Sequence, residues 1–469
     1  LKGSRECVES RQLHKEGCQN GGRVELEINT GAPSTPMVPK KGKDDGNKDT
    51  GGLLERILNR DNMNMAYKRV KSNKGSYGID GMTVDELLQY LKQNGDRIRQ
   101  SILKETYRPA PVRRVEIPKP DGGKRMLGIP TVVDRVIQQA IAQVLTRIYE
   151  PKFSDNSYGF RPGRNAKQAI EKCKGYIGAG NIWVVDIDLA RYFDTVNHDK
   201  LMALLAKDIA DKRVLKLIRK YLQSGVMINR VTIDTEEGCP QGGPLSPLLS
   251  NVMLNELDKE LEKRKLKFCR YADDGNIYVK SRKAAERVMK NVTKFLEEKL
   301  KLKVNRGKST VGRPWKLKFL GFSFYLKKGG AGIRIHEKPV RKFRDKVKEI
   351  TSRSNGKSMM WRIEKLNKCI TGWVNYYGFS DMKRVAQRLD EWIRRRLRMC
   401  LWKQWKNIKT RHNNLVKLGV DDVTALQCAF SRKGVWRVAN SPILYRPLTN
   451  DYIKNLGYHS ISERYAYIH

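Results

Sequence analysis

Apolar and polar residues recur along this chain with two periods, and the switches between them mark its elements. From Leu53, "LLERILNRDNMNMAYKRVKSNKGSYGIDGM" places apolar residues at helical steps and closes in a Gly-rich loop, so folding is expected to begin there. "VRRVEIPKPDGGKRMLGIP" reads as a basic hairpin turning at Asp121-Gly122-Gly123, followed by the helical "VVDRVIQQAIAQVLTRIYE". "NIWVVDIDLA" is short, almost wholly apolar and β-branched, as expected of a strand covered on both faces. It nevertheless carries Asp186 and Asp188. Strands and helices alternate through a further hairpin, "KFLGFSFYLKKGGAGIRIHEK", and beyond Glu337 the pattern becomes helical, aromatic and cationic. In "LDEWIRRRLRMCLWKQWK", Leu389, Trp392, Ile393, Leu397, Cys400 and Leu401 share one helical face, and Arg394, Arg395 and Arg398 fall mostly elsewhere.

Residues 1–50 contain no aromatic residue and few aliphatics, too little apolar surface to offset the entropy of ordering, and are expected to form a disordered leader. Lys and Arg outnumber Asp and Glu by 94 to 50, a net charge of +44 that calls for a polyanionic partner, RNA or DNA first. The leader holds nine basic against eight acidic residues, so the excess lies downstream. No run approaches the roughly 18 uninterrupted apolar residues of a spanning helix, and the expected location is the cytoplasm, with no membrane partner. The eight cysteines are scattered without a C-x-x-C pair, which predicts reduced thiols. The histidines form no nuclease or zinc pattern.

The acids are the exception in so basic a chain. "FCRYADDGNIYVK" sets Asp273-Asp274-Gly275 between two strand-like runs, and Asp-Gly in that setting is a turn signal, so the carboxylates are expected at a hairpin tip. Asp188 ends a buried strand, where a carboxylate alone would be costly. Acids grouped in this way need a cation. Two hard divalent ions held by carboxylates about 3.5–4 Å apart can activate a sugar hydroxyl and neutralise departing pyrophosphate.

"YADD" (Tyr271 to Asp274) resembles the signature of reverse transcriptases, and the accompanying blocks stand in that family's order. "DLARYFD" is similar to its first metal-binding motif, "CPQGGPLSPLLSNVMLNELD" to the loop and helix under the template–primer, "KLKVNRGKS" to the lysine-bearing motif, and "KFLGF" to the primer grip. With "GIDGM", "SYGFRPGR" and "GWVNYYGF", they resemble the group II intron-encoded reverse transcriptase and maturase over roughly residues 53–405. The absence of an HNH pattern is similar to the shorter bacterial class C branch.

The resemblance implies an α+β right-hand polymerase fold: fingers and palm over 51–337, an α-helical thumb (the maturase domain) over 338–405, and a basic DNA-binding segment over 406–469. It implies that Asp188, Asp273 and Asp274 hold two Mg²⁺ ions, that Phe193 is the steric gate against a ribose 2′-hydroxyl, and that Lys119 and Arg125 bind the triphosphate. Gln241, in Gln241-Gly242-Gly243, would lie in a loop close to nucleotide, and Lys308 would donate a proton to pyrophosphate. Arg394, Arg395 and Arg398 are expected on the intron RNA, with eight Lys or Arg against one Glu from Glu391 to Arg411. Trp392, Trp402 and Trp405 are expected to pack between helices rather than stack on bases. The implied partners are intron RNA, template RNA, DNA primer, dNTP and target DNA. The implied activity is RNA-directed DNA synthesis that copies the intron during mobility, beside assistance to its splicing. A free-standing retron-like or diversity-generating enzyme and a splicing factor with a dead polymerase are the rival readings. The long finger region and basic thumb argue against the first, and the intact acids against the second.

Overall fold

A computed structural model of the chain describes residues 52–118, 123–228, 231–233 and 237–469. The expected leader therefore lies outside the described residues. Helices Leu53–Ile57 and Arg60–Ser72 pack against Val132–Tyr149, whose residues are buried on nearly every side, and Leu87–Leu103 adds Leu87 and Ile102 to the same core. Thr131 caps that central helix by accepting from the Asp134 amide.

Two four-stranded sheets organise the first two thirds of the chain. The first contains β1 (Val112–Pro118) and β2 (Lys124–Ile129), paired antiparallel from Arg113↔Ile129 to Pro118↔Lys124 as the hairpin pattern predicts. The second contains β3 (Trp183–Ile187); β4 (Val226–Ile228) and β5 (Val231–Ile233) return to the first sheet, in the order β2-β1-β4-β5. β6 (Lys267–Tyr271), β7 (Asp274–Val279) and β8 (Thr310–Gly312) complete the second sheet in the order β6-β7-β3-β8. β9 (Phe322–Lys327) and β10 (Gly330–Ile335) form the last hairpin.

Both faces of the second sheet are covered, which explains the apolar run around β3. Val185 and Ile187 point into a core shared with helices Ser246–Lys263 and Arg282–Glu298. Val184 and Tyr278 point the other way, toward helix Ala166–Gly178 and the aromatic cluster of Phe319, Phe322 and Phe324. Burying a side chain of this size contributes about 1.5–3 kcal/mol, so the sheet is firmly sandwiched.

Helices Glu337–Ile350, Met359–Tyr377 and Lys383–Gln404 share a separate core of Phe343, Leu366, Ile370, Ile393 and Leu397. Residues after 405 fold into short helices around Leu415, Ala425, Val438, Leu444 and Leu448, on which Trp402 and Trp405 pack. Both tryptophans are buried, in keeping with their expected packing role. The last helix, Ile461–Ile468, returns to Lys383–Gln404, where buried Asp390 accepts from Tyr458 Oη, both Ser460 and Ser462 Oγ, and the Ile461 and Ser462 amides. Among the described residues, no helix is long and apolar enough to cross a membrane.

Candidate active site

Antiparallel pairing of β7 with both β3 and β6 brings the acids to one edge of the second sheet. Asp186 pairs with Asn276, Ile187 with Gly275, and Tyr271 with Asp274. The hairpin turn is thus Ala272-Asp273, not Asp274-Gly275 as the local turn signal suggests, and Asp274 and Gly275 already belong to the strand. The reason is non-local. Gly159 approaches so closely that a β-carbon on it would lie 2.2 Å from the Ala272 nitrogen, so the turn can form only beneath a glycine. Ala272 takes a φ of 58°, a left-handed conformation that costs roughly 1–2 kcal/mol outside glycine and must be held in place.

Arg270 holds it. Its buried guanidinium donates to Asp258 through Nε (2.8 Å) and Nη2, and Nη1 donates to Asn251 Oδ1 (3.0 Å) and the Ala272 carbonyl (2.9 Å). Asn251 in turn donates to the Gly159 carbonyl at 2.9 Å. Helix, loop and turn are thereby tied through one cation.

Asp188 lies one residue beyond β3 and is held by the segment before β8. The Asn305 amide nitrogen donates to the Asp188 carbonyl (2.8 Å), and Asn305 Nδ2 donates to its Oδ2 (2.8 Å). Ser309 Oγ accepts from the Asp188 amide at 3.1 Å.

The acids act on one another. Burial first, then the Asp186 and Asp273 carboxylates, push Asp274 up to about 7, against the pull of Lys318. Burial and Asp188 push Asp186 up to about 6, again opposed by Lys318. Burial also raises Asp273, while Arg125 and Arg270 pull it down and Asp188 adds repulsion. Among the described residues, no three His, Cys, Asp or Glu side chains already close on one point as a metal cage. The grouped carboxylate oxygens are hard donors that repel each other without a cation, which fits a hard divalent ion.

Phe193 and Gln241 line a cleft of about 480 Å³ against the first sheet, with Arg114, Met126 and Gly128 of the β1–β2 hairpin on its other wall. The Gln241 carbonyl accepts from the Gly128 amide at 2.8 Å, and a β-carbon on Gly242 would lie 2.7 Å from the Gly128 oxygen. Arg125 is exposed on β2 with its charge felt at Asp273, whereas Lys119 lies outside the described residues. Lys308 sits in the turn between Asn305 and Ser309, its amide bonded to the Asn305 carbonyl at 3.1 Å.

The three thumb arginines do not form one exposed set. Arg395 is half-buried, lies 3.8 Å over the Trp436 ring and donates to the Trp436 carbonyl. Arg394 is half-buried. Arg398 is buried and donates to the Leu448 carbonyl (2.8 Å) and Asn450 Oδ1 (3.1 Å), so the expectation that it faces RNA does not hold. The residues after 405 cover that side of the helix. Motif reading does not single out Asn305, Ser309, Arg270, Asp258 or Lys318; the one available signal is Arg270, a cation between Cys269 and Tyr271 in a strand-like run, whereas Asp258 stands among other charged residues.

The chain matches the sequence model of the reverse transcriptase (RNA-dependent DNA polymerase) family over residues 117–324 and that of the group II intron maturase-specific domain over 340–419. It is 34% identical over 299 residues to Protein YkfC of Escherichia coli K12, an alignment covering 55% of this chain and 78% of that protein. It is 40% identical over 219 residues to the group II intron-encoded protein LtrA of Lactococcus lactis, covering 46% of this chain and 36% of LtrA. With the putative COX1/OXI3 intron 2 protein of Saccharomyces cerevisiae it shares 36% identity over 245 residues, 51% of this chain and 28% of that one.

Proposed function

Because the chain belongs to the group II intron-encoded reverse transcriptases, with a maturase-specific domain after the polymerase domain, we propose that it binds its own intron RNA, assists its splicing and copies it into cDNA. The observation that carries the polymerase half is that Asp188, just past the end of β3, and Asp273, in the turn before β7, lie near enough for their charges to repel, and that Arg125 of the β1–β2 hairpin is felt at the same Asp273. In this reading fingers and palm extend over 51–337, the thumb over 338–405 and a DNA-contacting segment over 406–469. The enzyme works in the cytoplasm on template RNA, a DNA primer, dNTPs and target DNA.

Asp188 and Asp273 would hold Mg²⁺, two ions per site, with Asp274 beside them; all-oxygen carboxylate donors favour this ion over softer metals. When bound, the metal supplies activation of the primer 3′-hydroxyl and charge neutralisation at the leaving pyrophosphate. The chain's own residues orient the reactants. Arg125, on the finger hairpin, meets the triphosphate, with Lys119 as its expected companion. Phe193 fills the space a ribose 2′-hydroxyl would need. The loop at Gln241-Gly242 would bring backbone against the nucleotide, and Lys308 would donate a proton to pyrophosphate. The cationic surface holds the polyanion.

Primer extension on an RNA template, run beside intron-RNA binding, tests this reading. Asp273→Asn is expected to abolish extension and leave RNA affinity nearly unchanged, since it alters one charge in a chain of net charge +44. Near-normal extension by that variant would refute the assignment.

A further inference from the structure

The ladder that carries β3 stops short of its most important acid. β8 pairs only with Val184, Val185 and Asp186, and β7 pairs with β3 no further than Ile187. Asp188 therefore needs another support, and "VNRGKS" (Val304 to Ser309) supplies it. Val304 bridges to Leu189, the Asn305 amide donates to the Asp188 carbonyl, and Ser309 Oγ bonds both the amide and the carbonyl of Asp188. These contacts fix the backbone. One contact fixes the carboxylate itself: Asn305 Nδ2 donates to Oδ2 at 2.8 Å.

We propose that Asn305 is a positioning residue for the reaction, orienting the Asp188 carboxylate so that its other oxygen faces the reacting groups. The inference rests on the reading of Asp188 as a metal ligand. A carboxylate torsion is broad and nearly two-fold when nothing restrains it, so an anchored oxygen removes rotational freedom before substrate arrives. The chemistry of the anchor matters as much as its place. A Lys or Arg there would neutralise the carboxylate and compete with the cation it must bind. An amide donates one hydrogen bond, carries no charge, and leaves the full negative charge available. Donation from Nδ2 follows from the partner, since an ionised carboxylate only accepts. Ser309 differs in kind, because its hydroxyl meets only the Asp188 backbone.

The test uses this chain and Asn305→Leu, which keeps the branched side-chain shape and removes the donor, with the smaller Asn305→Ala as a second variant. Primer-extension kinetics, Mn²⁺ binding to the protein without nucleotide by electron paramagnetic resonance, and thermal unfolding are measured together. Losing a hydrogen bond to a metal ligand reduces metal affinity or turnover by about 10–100-fold, and both variants are expected in that range. KM for dNTP and affinity for template–primer should stay within about two-fold, because only the chemical step is misaligned. Asp188→Asn serves as the reference. If it abolishes extension while Asn305→Leu and Asn305→Ala keep normal turnover and Mn²⁺ affinity, the positioning role is wrong. If Asp188→Asn itself retains extension and Mn²⁺ binding, the ligand assignment fails instead. Losses that follow a large fall in unfolding temperature in both variants would assign Asn305 to the fold and overturn the proposal.

Discussion

Replacing Arg270 should separate the stability of the second sheet from its chemistry. Arg270 is 2% exposed and Asp258 is fully buried, and the two meet through a bidentate ion pair. In Arg270→Met, Asp258 is left as an unpaired buried carboxylate, a loss of about 3–5 kcal/mol. Asn251 Oδ1 and the Ala272 carbonyl lose their donor at the same time. Restoring apolar complementarity with Arg270→Met/Asp258→Leu removes the charge problem, and such replacements are often neutral or stabilising, so the double variant should return to within about 2 kcal/mol of the parent. Extension should not return. The left-handed Ala272 is then no longer tethered, and a shift of about 1 Å in Asp273 is enough to lower turnover roughly 100-fold. Urea unfolding reads the first quantity, and primer extension with template–primer binding reads the second. Recovery of extension together with stability would refute the tether. So would a single variant that costs less than about 1 kcal/mol, because the pair would then not be the buried unit described.

Three further outcomes are expected. Phe193→Val should remain active and raise rNTP relative to dNTP incorporation, measured as the ratio of the two kcat/KM values; an unchanged ratio would return Phe193 to a packing role. Asp274 and Asp186 are raised in the folded protein, to about 7 and about 6, so the fold binds their protons more tightly than the unfolded chain does. Metal-free protein should therefore lose stability as pH rises from about 4 to about 7, and Asp274→Asn in excess chelator should show a shallower fall in unfolding temperature over that window. Arg398→Gln removes charged hydrogen bonds to Leu448 and Asn450, each about 1.5–3 kcal/mol, and should expose residues after 405 to limited proteolysis, whereas half-buried Arg394→Gln should change stability by about 0.5 kcal/mol or less.

What could be read from the sequence was local, and what could not depended on contacts between distant segments. The apolar run around Val184 and Val185 indicates a doubly covered strand because both faces write themselves into consecutive residues. The β1–β2 hairpin is legible for the same reason. The turn between β6 and β7 falls at Ala272-Asp273, where Gly159, more than a hundred residues earlier, lies against Ala272, and no short-range turn rule contains that contact. Helical periodicity placed Arg398 off the apolar stripe, which reads as solvent-facing. A second layer, ending in Leu448 and Asn450, covers that side, and a polar face under a later segment looks the same in sequence as one under water. Asn305 escaped notice because a polar residue in a Gly-containing turn carries no signal of the carboxylate it meets.

The two acids at the centre of the proposed chemistry are supported in opposite ways, and the difference has a physical logic. Asp273 is an exposed residue on a strained turn whose Ala272 is buried, so its support must hold backbone, and a guanidinium with several donors does this from beneath while lowering the cost of the nearby charge. Asp188 sits at a free strand end, where the backbone is already held by Ser309 and the Asn305 amide, and only the carboxylate needs direction. A second cation there would weaken the site for a divalent ion. The abundant positive charge of the chain is thus withheld from Asp188's own carboxylate contact, which comes from an uncharged amide. Arg125 and Lys318 act from farther off, at Asp273 and at the Asp186–Asp274 pair. Cations gathered over the surface draw in a polyanion, and neutral donors at the acid keep its charge for the metal.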